Sequence, residues 1–217
     1  MKLRITLPIV SLLFLAGCGE KYTTETKDGF TLVKNEGGAN LGYSPTSGVQ
    51  IIAKDRYAFK DLNNNEVVDP YEDWRLPVHE RAQDLAQKMS LEDIAGLMLY
   101  SSHQSLPGRS RGFGSSTYNG KTFAESGALA SDLSDEQKKF LTDDHLRHVL
   151  ITSVESPAVA AQWNNNAQAF AEGLYLGIPV NTSSDPRHGS DSYAEYNAGA
   201  GGAISMWPGT LGIAATF

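Results

Sequence analysis

One amphipathic segment between two short apolar runs constrains the fold most strongly. The segment "SPAVAAQWNNNAQAFAEGLYLG" predicts a helix, because Ser156 can cap it, Pro157 suits its first turn and Gly177 can end it. Its predicted inner stripe comprises Val159, Trp163, Ala167, Phe170 and Leu174. The run Val149–Thr152 before the helix and "IPVNTSSD" after it are typical of buried strands. This order predicts a parallel βαβ unit.

A similar pattern lies upstream. "LPVHERAQDLAQKM" predicts a helix with Pro77 in its first turn. Its expected apolar face comprises Val78, Ala82, Leu85 and Met89. Ser90 and Asp93 have the spacing of a weak capping box, and the apolar run Leu97–Tyr100 is interpreted as a buried strand. The predicted fold class is therefore α/β.

The first 18 residues predict export. Lys2 and Arg4 precede an apolar run, Ile5–Ala16, that is too short to cross a hydrocarbon core of about 30 Å. "LAGC" resembles the lipobox of bacterial lipoproteins, so Cys18 is the predicted lipidation site; the alternative is a signal peptide with an incidental cysteine. We expect a lipid-anchored protein of the bacterial cell envelope, at the outer membrane or in the periplasm. Residues 19–57 are expected to form a tether and a loosely structured lead-in.

The charge balance excludes one class of partner. The 217-residue chain has a formal net charge of −7, and nucleic-acid phosphates require basic surfaces. Cys18 is the single cysteine, so no disulfide can form within the chain. The predicted membrane contact is therefore through a lipid anchor, and nucleic acid is not an expected partner.

The stretch "DLNNNEVVDPYE", within the predicted segment 58–76, has oxygen ligands at the spacing of an EF-hand calcium loop. The candidate ligands, at loop positions one, three, five, seven, nine and twelve, are Asp61, Asn63, Asn65, Val67 (through its carbonyl), Asp69 and Glu72. Glu66 occupies position six, where the chain turns with positive φ and glycine is preferred. The alternative is a polar turn, since Asn and Asp favour turns. We expect calcium to have a structural role only.

A second polar group follows the last predicted strand. In "GIPVNTSSDPRHG", the strand is followed by Asp185, Arg187 and His188. Ligands of parallel α/β folds bind beyond the carboxyl ends of the strands. A carboxylate, a guanidinium and an imidazole suit a polyhydroxylated ligand. The alternative is that Asp185 and Arg187 pair with each other and only hold the loop.

Four segments in order, "RAQDLAQKMSLEDIAGLM", "AAQWNNNAQAFAEGLYLGIPV", "SSDPRHG" and "MWPGTLGIAATF", resemble the start of the (β/α)₈ barrel of glycoside hydrolase family 3, the β-glucosidase family. The resemblance implies a partial TIM barrel over residues 77–217. It implies retaining hydrolysis of terminal, non-reducing β-D-glucosyl or related residues of oligosaccharides, without a catalytic metal. It also implies that Asp185 binds sugar hydroxyls, with Arg187 and His188 as neighbours.

The resemblance also implies that the catalytic nucleophile and the acid/base lie beyond Phe217. A closed barrel takes about 250 residues, more than residues 77–217 provide. We therefore expect a truncated chain that is inactive alone. The alternative function is that of a non-catalytic surface lipoprotein that binds glycan or calcium.

Overall fold

The computed structural model describes residues 19–108, 110, 111, 114–184 and 214–216. It is a mixed α/β structure. The strands are β1 (Tyr22–Thr26), β2 (Thr31–Asn35), β3 (Asn40–Tyr43), β4 (Gln50–Lys54), β5 (Tyr57–Asp61), β6 (Gln104–Leu106), β7 (Ser110–Arg111), β8 (Gly114–Ser115), β9 (His148–Val154) and β10 (Asn181–Ser184). The α-helices are α1 (Val78–Lys88), α2 (Leu91–Leu97), α3 (Phe123–Ser126), α4 (Asp135–Thr142) and α5 (Pro157–Glu172). Short 3₁₀ helices span Pro45–Ser47 and Tyr175–Gly177.

The predicted βαβ unit is confirmed, but its last strand, β10, is largely exposed and not buried as expected. β9 is the centre of a three-stranded parallel sheet in the order β10-β9-β6. Asn181 pairs with His148 on one side of β9, and Leu106 pairs with Val154 on the other. Helix α5 connects β9 to β10, as the parallel connection requires.

Helix α5 starts as its sequence predicts, but it ends at Glu172 with Gly173 at its C-cap, not at Gly177. The Ser156 hydroxyl accepts a hydrogen bond from the Val159 N–H at 3.2 Å, and Pro157 occupies the first turn. Trp163 and Ala167 are fully buried in a core that also contains Val149 of β9. The predicted stripe residues Val159, Phe170 and Leu174 are partly buried against the same core.

A buried amide links this core to α4. Gln137 lies in the first turn of α4, where it forms a reciprocal capping box with Ser134. Its side-chain oxygen accepts a hydrogen bond from the Trp163 indole N–H at 3.0 Å, and its side-chain nitrogen donates to Gln104 of β6 at 3.2 Å. One side chain therefore connects a helix cap, the crossover helix and the sheet.

The lead-in is more ordered than expected. Strands β1, β2 and β3 form an antiparallel sheet, and β4 pairs with β5 in a hairpin. This N-terminal module packs on the end of α5: a Cβ on Gly173 would lie 2.3 Å from the Ser47 carbonyl oxygen. The Lys60 ammonium forms an ion pair with the Glu172 carboxylate across the same junction. These tertiary contacts order a segment in which the sequence shows no strong periodicity.

Two expectations about α1 and α2 are wrong. Helix α1 has the predicted bounds but contains no buried residue, and Val78 on its expected inner face is 76% exposed. The run Leu97–Tyr100 is not a strand: α2 continues to Leu97, and only Tyr100 forms an isolated parallel bridge, with His148.

Contacts at both ends of α2 account for its extent, which includes the first residue of that run. The predicted capping box of Ser90 and Asp93 is present at the start of α2. Asp93 also contacts Nδ1 of His145 at 2.6 Å, and Gly96 lies so close to the His145 carbonyl that an added Cβ would be 2.4 Å away. With α2 fixed as far as Leu97, only residues 98–100 remain of the expected strand.

The partial barrel is not confirmed. The described residues contain three parallel strands and no closed barrel. Among the same residues, no helix is both long and apolar enough to cross a membrane.

The Gln137 network yields a stability prediction. We expect Gln137→Ala to lower the free energy of unfolding by about 2–4 kcal/mol, because it removes a cap and leaves the buried Trp163 N–H without a partner. Gln87→Ala, at an exposed glutamine of α1, is the matched control and should change it by less than about 0.5 kcal/mol. Urea unfolding followed by tryptophan fluorescence measures both; equal effects would contradict the role assigned to the network.

Candidate functional sites

The carboxyl ends of the parallel strands converge at one edge of the sheet. β6 ends at Leu106, β9 at Val154 and β10 at Ser184. The backbone N–H of Glu155 donates to the Leu106 carbonyl at 2.8 Å, which fixes the chain just beyond two of these strands. This edge is where ligands of parallel α/β folds bind.

The predicted sugar-binding residues follow this edge directly in sequence. Asp185 comes immediately after Ser184, the last residue of β10. Asp185, Arg187 and His188 lie outside the described residues, as does Cys18. Their roles remain predictions.

The sheet face opposite α5 carries a polar group that sequence reasoning missed. The His148 and Tyr100 rings stack with centroids 5.9 Å apart, and His148 Nδ1 lies 3.0 Å from the Asn181 side-chain nitrogen. The Tyr100 hydroxyl contacts the Ser183 hydroxyl. The alternation of β9 and β10 places His148, Asn181 and Ser183 on this face, whereas Val149 packs into the core on the other.

The loop at residues 61–72 has the predicted turn. The carboxylate of Asp61, which is 2% exposed, accepts hydrogen bonds from the backbone N–H groups of Asn65 (3.1 Å) and Glu66 (2.9 Å). Glu66 has φ +63°, the left-handed conformation expected at position six. Val68, the apolar residue at position eight, is buried. The loop therefore keeps this conformation without glycine.

Asp69 is the centre of the loop's side-chain hydrogen bonds. One of its oxygens accepts from the side-chain amides of Asn63 (2.7 Å) and Asn65 (2.9 Å), and the other from the Lys88 ammonium (2.9 Å). Burial opposes ionisation of Asp69, but the hydrogen bonds, above all that from Lys88, lower its pKa. The same bond to Asp69 raises the pKa of Lys88.

Glu72 closes the loop at its other end. Its carboxylate, in a residue that is 5% exposed, accepts from the backbone N–H groups of Leu62 (2.7 Å) and Asp69 (3.0 Å). Burial raises the pKa of Glu72 in spite of these two bonds. Burial and the neighbouring Glu72 carboxylate also raise the pKa of Tyr71.

The fit of the loop to a metal ion is mixed. The Asn63 side-chain oxygen is buried and has no hydrogen-bond partner, so it is free to accept a cation. The carboxylates of Asp61, Asp69 and Glu72 are all engaged by N–H donors. As arranged, the described part of the chain contains no group of three or more His, Cys, Asp or Glu side chains that could hold a metal ion. A metal ion would therefore have to displace donors from these carboxylates.

Sequence reasoning missed Lys88 as a member of this site. The available signal was its spacing from Asp84, four residues earlier on the same face of α1; the Lys88 ammonium lies 3.8 Å from that carboxylate. Its bond to Asp69 spans nineteen residues and depends on how α1 packs against the loop. No local pattern predicts such a contact.

Comparison with known proteins identifies relatives. The chain is 37% identical over 171 residues to a periplasmic β-glucosidase/β-xylosidase of Dickeya chrysanthemi, covering 78% of this chain and 24% of the relative. It is 31% identical over 160 residues to β-glucosidase C of Emericella nidulans, covering 71% of this chain and 22% of the relative. It is 27% identical over 176 residues to a probable β-glucosidase C of Aspergillus oryzae, covering 78% of this chain and 24% of the relative. No family model matches the chain.

The relatives bear out the resemblance seen in the sequence motifs. The chain spans about a quarter of the length of the curated relatives it matches. Over that stretch, the chain belongs to the β-glucosidase family, glycoside hydrolase family 3.

Proposed function

We propose that this chain is part of a longer glycoside hydrolase that removes terminal β-D-glucosyl or related residues from oligosaccharides. The observation that carries the proposal is the match, at 37% identity, to a protein named as a periplasmic β-glucosidase/β-xylosidase. The confirmed βαβ unit supports it, because β10 ends directly before the predicted sugar-binding residue Asp185.

In this proposal the parallel sheet is the first part of a (β/α)₈ barrel. Parallel sheets are normally covered on both faces. Here α5 covers one face, while the other carries Tyr100, which is 54% exposed. Helix α1 likewise buries none of its residues. Surfaces of this kind suit a larger fold that packs against them.

The proposed chemistry divides between this chain and the rest of the longer protein. Asp185 would accept hydrogen bonds from the hydroxyl groups of the terminal sugar, which fixes that sugar at the strand edge. A retaining hydrolase needs a carboxylate nucleophile and a carboxyl acid/base about 5–5.5 Å apart. We assign both to segments outside this chain. Export of the protein fits the proposal, since the Dickeya relative is named periplasmic and residues 1–18 have the pattern of a signal peptide.

We further propose that the loop at residues 61–72 binds a structural calcium ion. The buried and unpartnered Asn63 oxygen supports it, together with the oxygen-rich side chains of Asp61, Asp69 and Glu72. Calcium is bound by such oxygen ligands, and its role here would be to hold β5 to the start of α1.

The sugar-binding role of Asp185 is tested by substitution in the longer protein. We expect Asp185→Asn to lower kcat/KM for 4-nitrophenyl β-glucopyranoside by about 10- to 100-fold, because it removes the negative charge and replaces one acceptor oxygen by an NH2 donor, which weakens the hydrogen bonds to the sugar in the transition state. The control is Asp144→Asn, at an exposed acid before the amino end of β9, which should leave kcat/KM unchanged. An active protein that tolerates Asp185→Asn would show that Asp185 does not hold the sugar.

Calcium binding is tested by removing the Lys88 ammonium, which would compete with calcium for Asp69. We expect calcium chloride to raise the melting temperature of the chain, and Lys88→Met to tighten calcium binding by about tenfold, because Asp69 then loses its internal cation. Lys139→Met, at an exposed lysine of α4, serves as the control. If calcium shifts the melting temperature of neither the unmodified chain nor Lys88→Met, the loop is only a polar turn.

The turn at Glu66 is tested without any ligand. In calcium-free buffer, Glu66→Gly should raise the free energy of unfolding by about 1 kcal/mol, because it relieves the left-handed conformation of a residue with a Cβ. Glu80→Gly, in the first turn of α1, should instead lower it by about 1 kcal/mol. Chemical denaturation of the two variants measures both free energies of unfolding. A lower free energy of unfolding in Glu66→Gly would contradict the conformational strain assigned to Glu66.

A further inference from the structure

A cleft of about 930 Å³ separates the N-terminal module from the outer face of α5. Its volume lies within the range of about 300–1,000 Å³ that is usual for ligand sites. Phe30 and Tyr43 line it from the module, and Gln162, Asn165 and Asn166 line it from α5. The junction that holds the module on α5 therefore also forms the cleft.

The wall formed by the N-terminal module and the wall formed by α5 offer complementary chemistry. Phe30 is 42% exposed, and Tyr43 is partly exposed beside it in the chain's first sheet, so aromatic surface is available on the module side. The Asn165 amide is exposed and has no hydrogen-bond partner among the described residues, and the Gln162 amide donates only to Asn166. Amides supply both donors and acceptors, and aromatic rings supply apolar faces.

The charges of the cleft disfavour an anionic ligand. Its acidic residues are Asp28, Asp132 and Glu172, and its basic residues are Lys60 and Lys138. Lys60 is already paired with Glu172. A phosphorylated or otherwise strongly acidic ligand would meet two unpaired carboxylates and one remaining ammonium. A neutral ligand meets no such penalty.

Part of the cleft lining and the predicted sugar-binding residue Asp185 lie on opposite sides of β10 in the sequence. Gly177 and Pro179, which line the cleft, precede β10, whereas Asp185 follows β10. The described lining of the cleft comes from the N-terminal module, from α5 and from the segment 118–138.

We propose that this cleft is a second carbohydrate site, which binds a neutral oligosaccharide without hydrolysing it. A sugar ring has apolar C–H faces and a rim of hydroxyl groups that both donate and accept hydrogen bonds. The ring faces contact Phe30 and Tyr43, and the hydroxyl rim bonds to the amides of Gln162 and Asn165. The site keeps a glycan chain on the protein.

The test is isothermal titration of the 217-residue chain with cellotetraose and, in a separate arm, with xylotetraose. We expect at least one of the two to bind. The double variant Gln162→Ala/Asn165→Ala should weaken that binding by about tenfold or more, because two hydrogen bonds to the sugar are lost. Both changes are on the exposed side of a helix and introduce a good helix former, so the fold is retained. Tyr43→Ala should weaken binding through the opposite wall.

Two controls separate this site from the rest of the protein. Gln83→Ala/Gln87→Ala removes two exposed amides from α1, away from the cleft, and should leave affinity unchanged. Asp185→Ala removes the predicted sugar-binding carboxylate after β10, and the share of binding that depends on Gln162 and Asn165 should persist in this variant, so failure of the proposed hydrolysis does not affect this result. The proposal is overturned if neither tetrasaccharide binds, if the cleft variants bind as well as the unmodified chain, or if only Asp185→Ala abolishes binding.

Discussion

The hydrogen bonds of one buried amide, Gln137, hold the helical layer in position over the parallel sheet. Hydrophobic contacts of Trp163 and Ala167 would allow α5 to shift along the sheet, because apolar attraction has no direction. The indole N–H of Trp163 does have a direction, and in the core its acceptor is Gln137. Since Gln137 is itself fixed by Ser134 and by Gln104, the position of α5 is set relative to both α4 and β6. The strand order then follows from where α5 delivers the chain to β10.

Elements whose determinants are local could be predicted from the sequence. The start of helix α5 and the capping box of α2 depend on residues within four positions of one another, and both form as expected. The same holds for the left-handed turn at Glu66. The spacing of the oxygen-bearing residues from Asp61 onward predicts this turn, and the Glu66 N–H donates to the Asp61 carboxylate. In each case the residues that decide the structure are close enough in sequence to be recognised together.

Elements that depend on distant contacts could not be predicted from the sequence. The end of α2 is decided by Asp93 and Gly96 against His145, about fifty residues away, and an apolar run alone does not reveal that partner. The order of the N-terminal module depends on Gly173 and Glu172 at the end of α5. The candidate sugar site was predicted by the residues that follow a strand, but its companion cleft was not. The walls of that cleft come from segments more than a hundred residues apart.

The loop at residues 61–72 raises the question of what its carboxylates require. Asp61 and Glu72 are buried in this turn and Asp69 is partly buried, and their mutual repulsion must be offset by positive charge or by N–H dipoles. In the described structure, backbone N–H groups donate hydrogen bonds to the carboxylates of Asp61 and Glu72, and the Lys88 ammonium forms an ion pair with Asp69. Because Lys88 is the last residue of α1, this pairing already ties the loop to the helix. A calcium ion would make the same connection through the loop itself, so the clamp between β5 and α1 is the constant feature. In the proposed calcium-bound loop, the metal ion would meet the same electrostatic demand that the Lys88 ammonium meets here, and it would bind at the expense of the pair between Lys88 and Asp69.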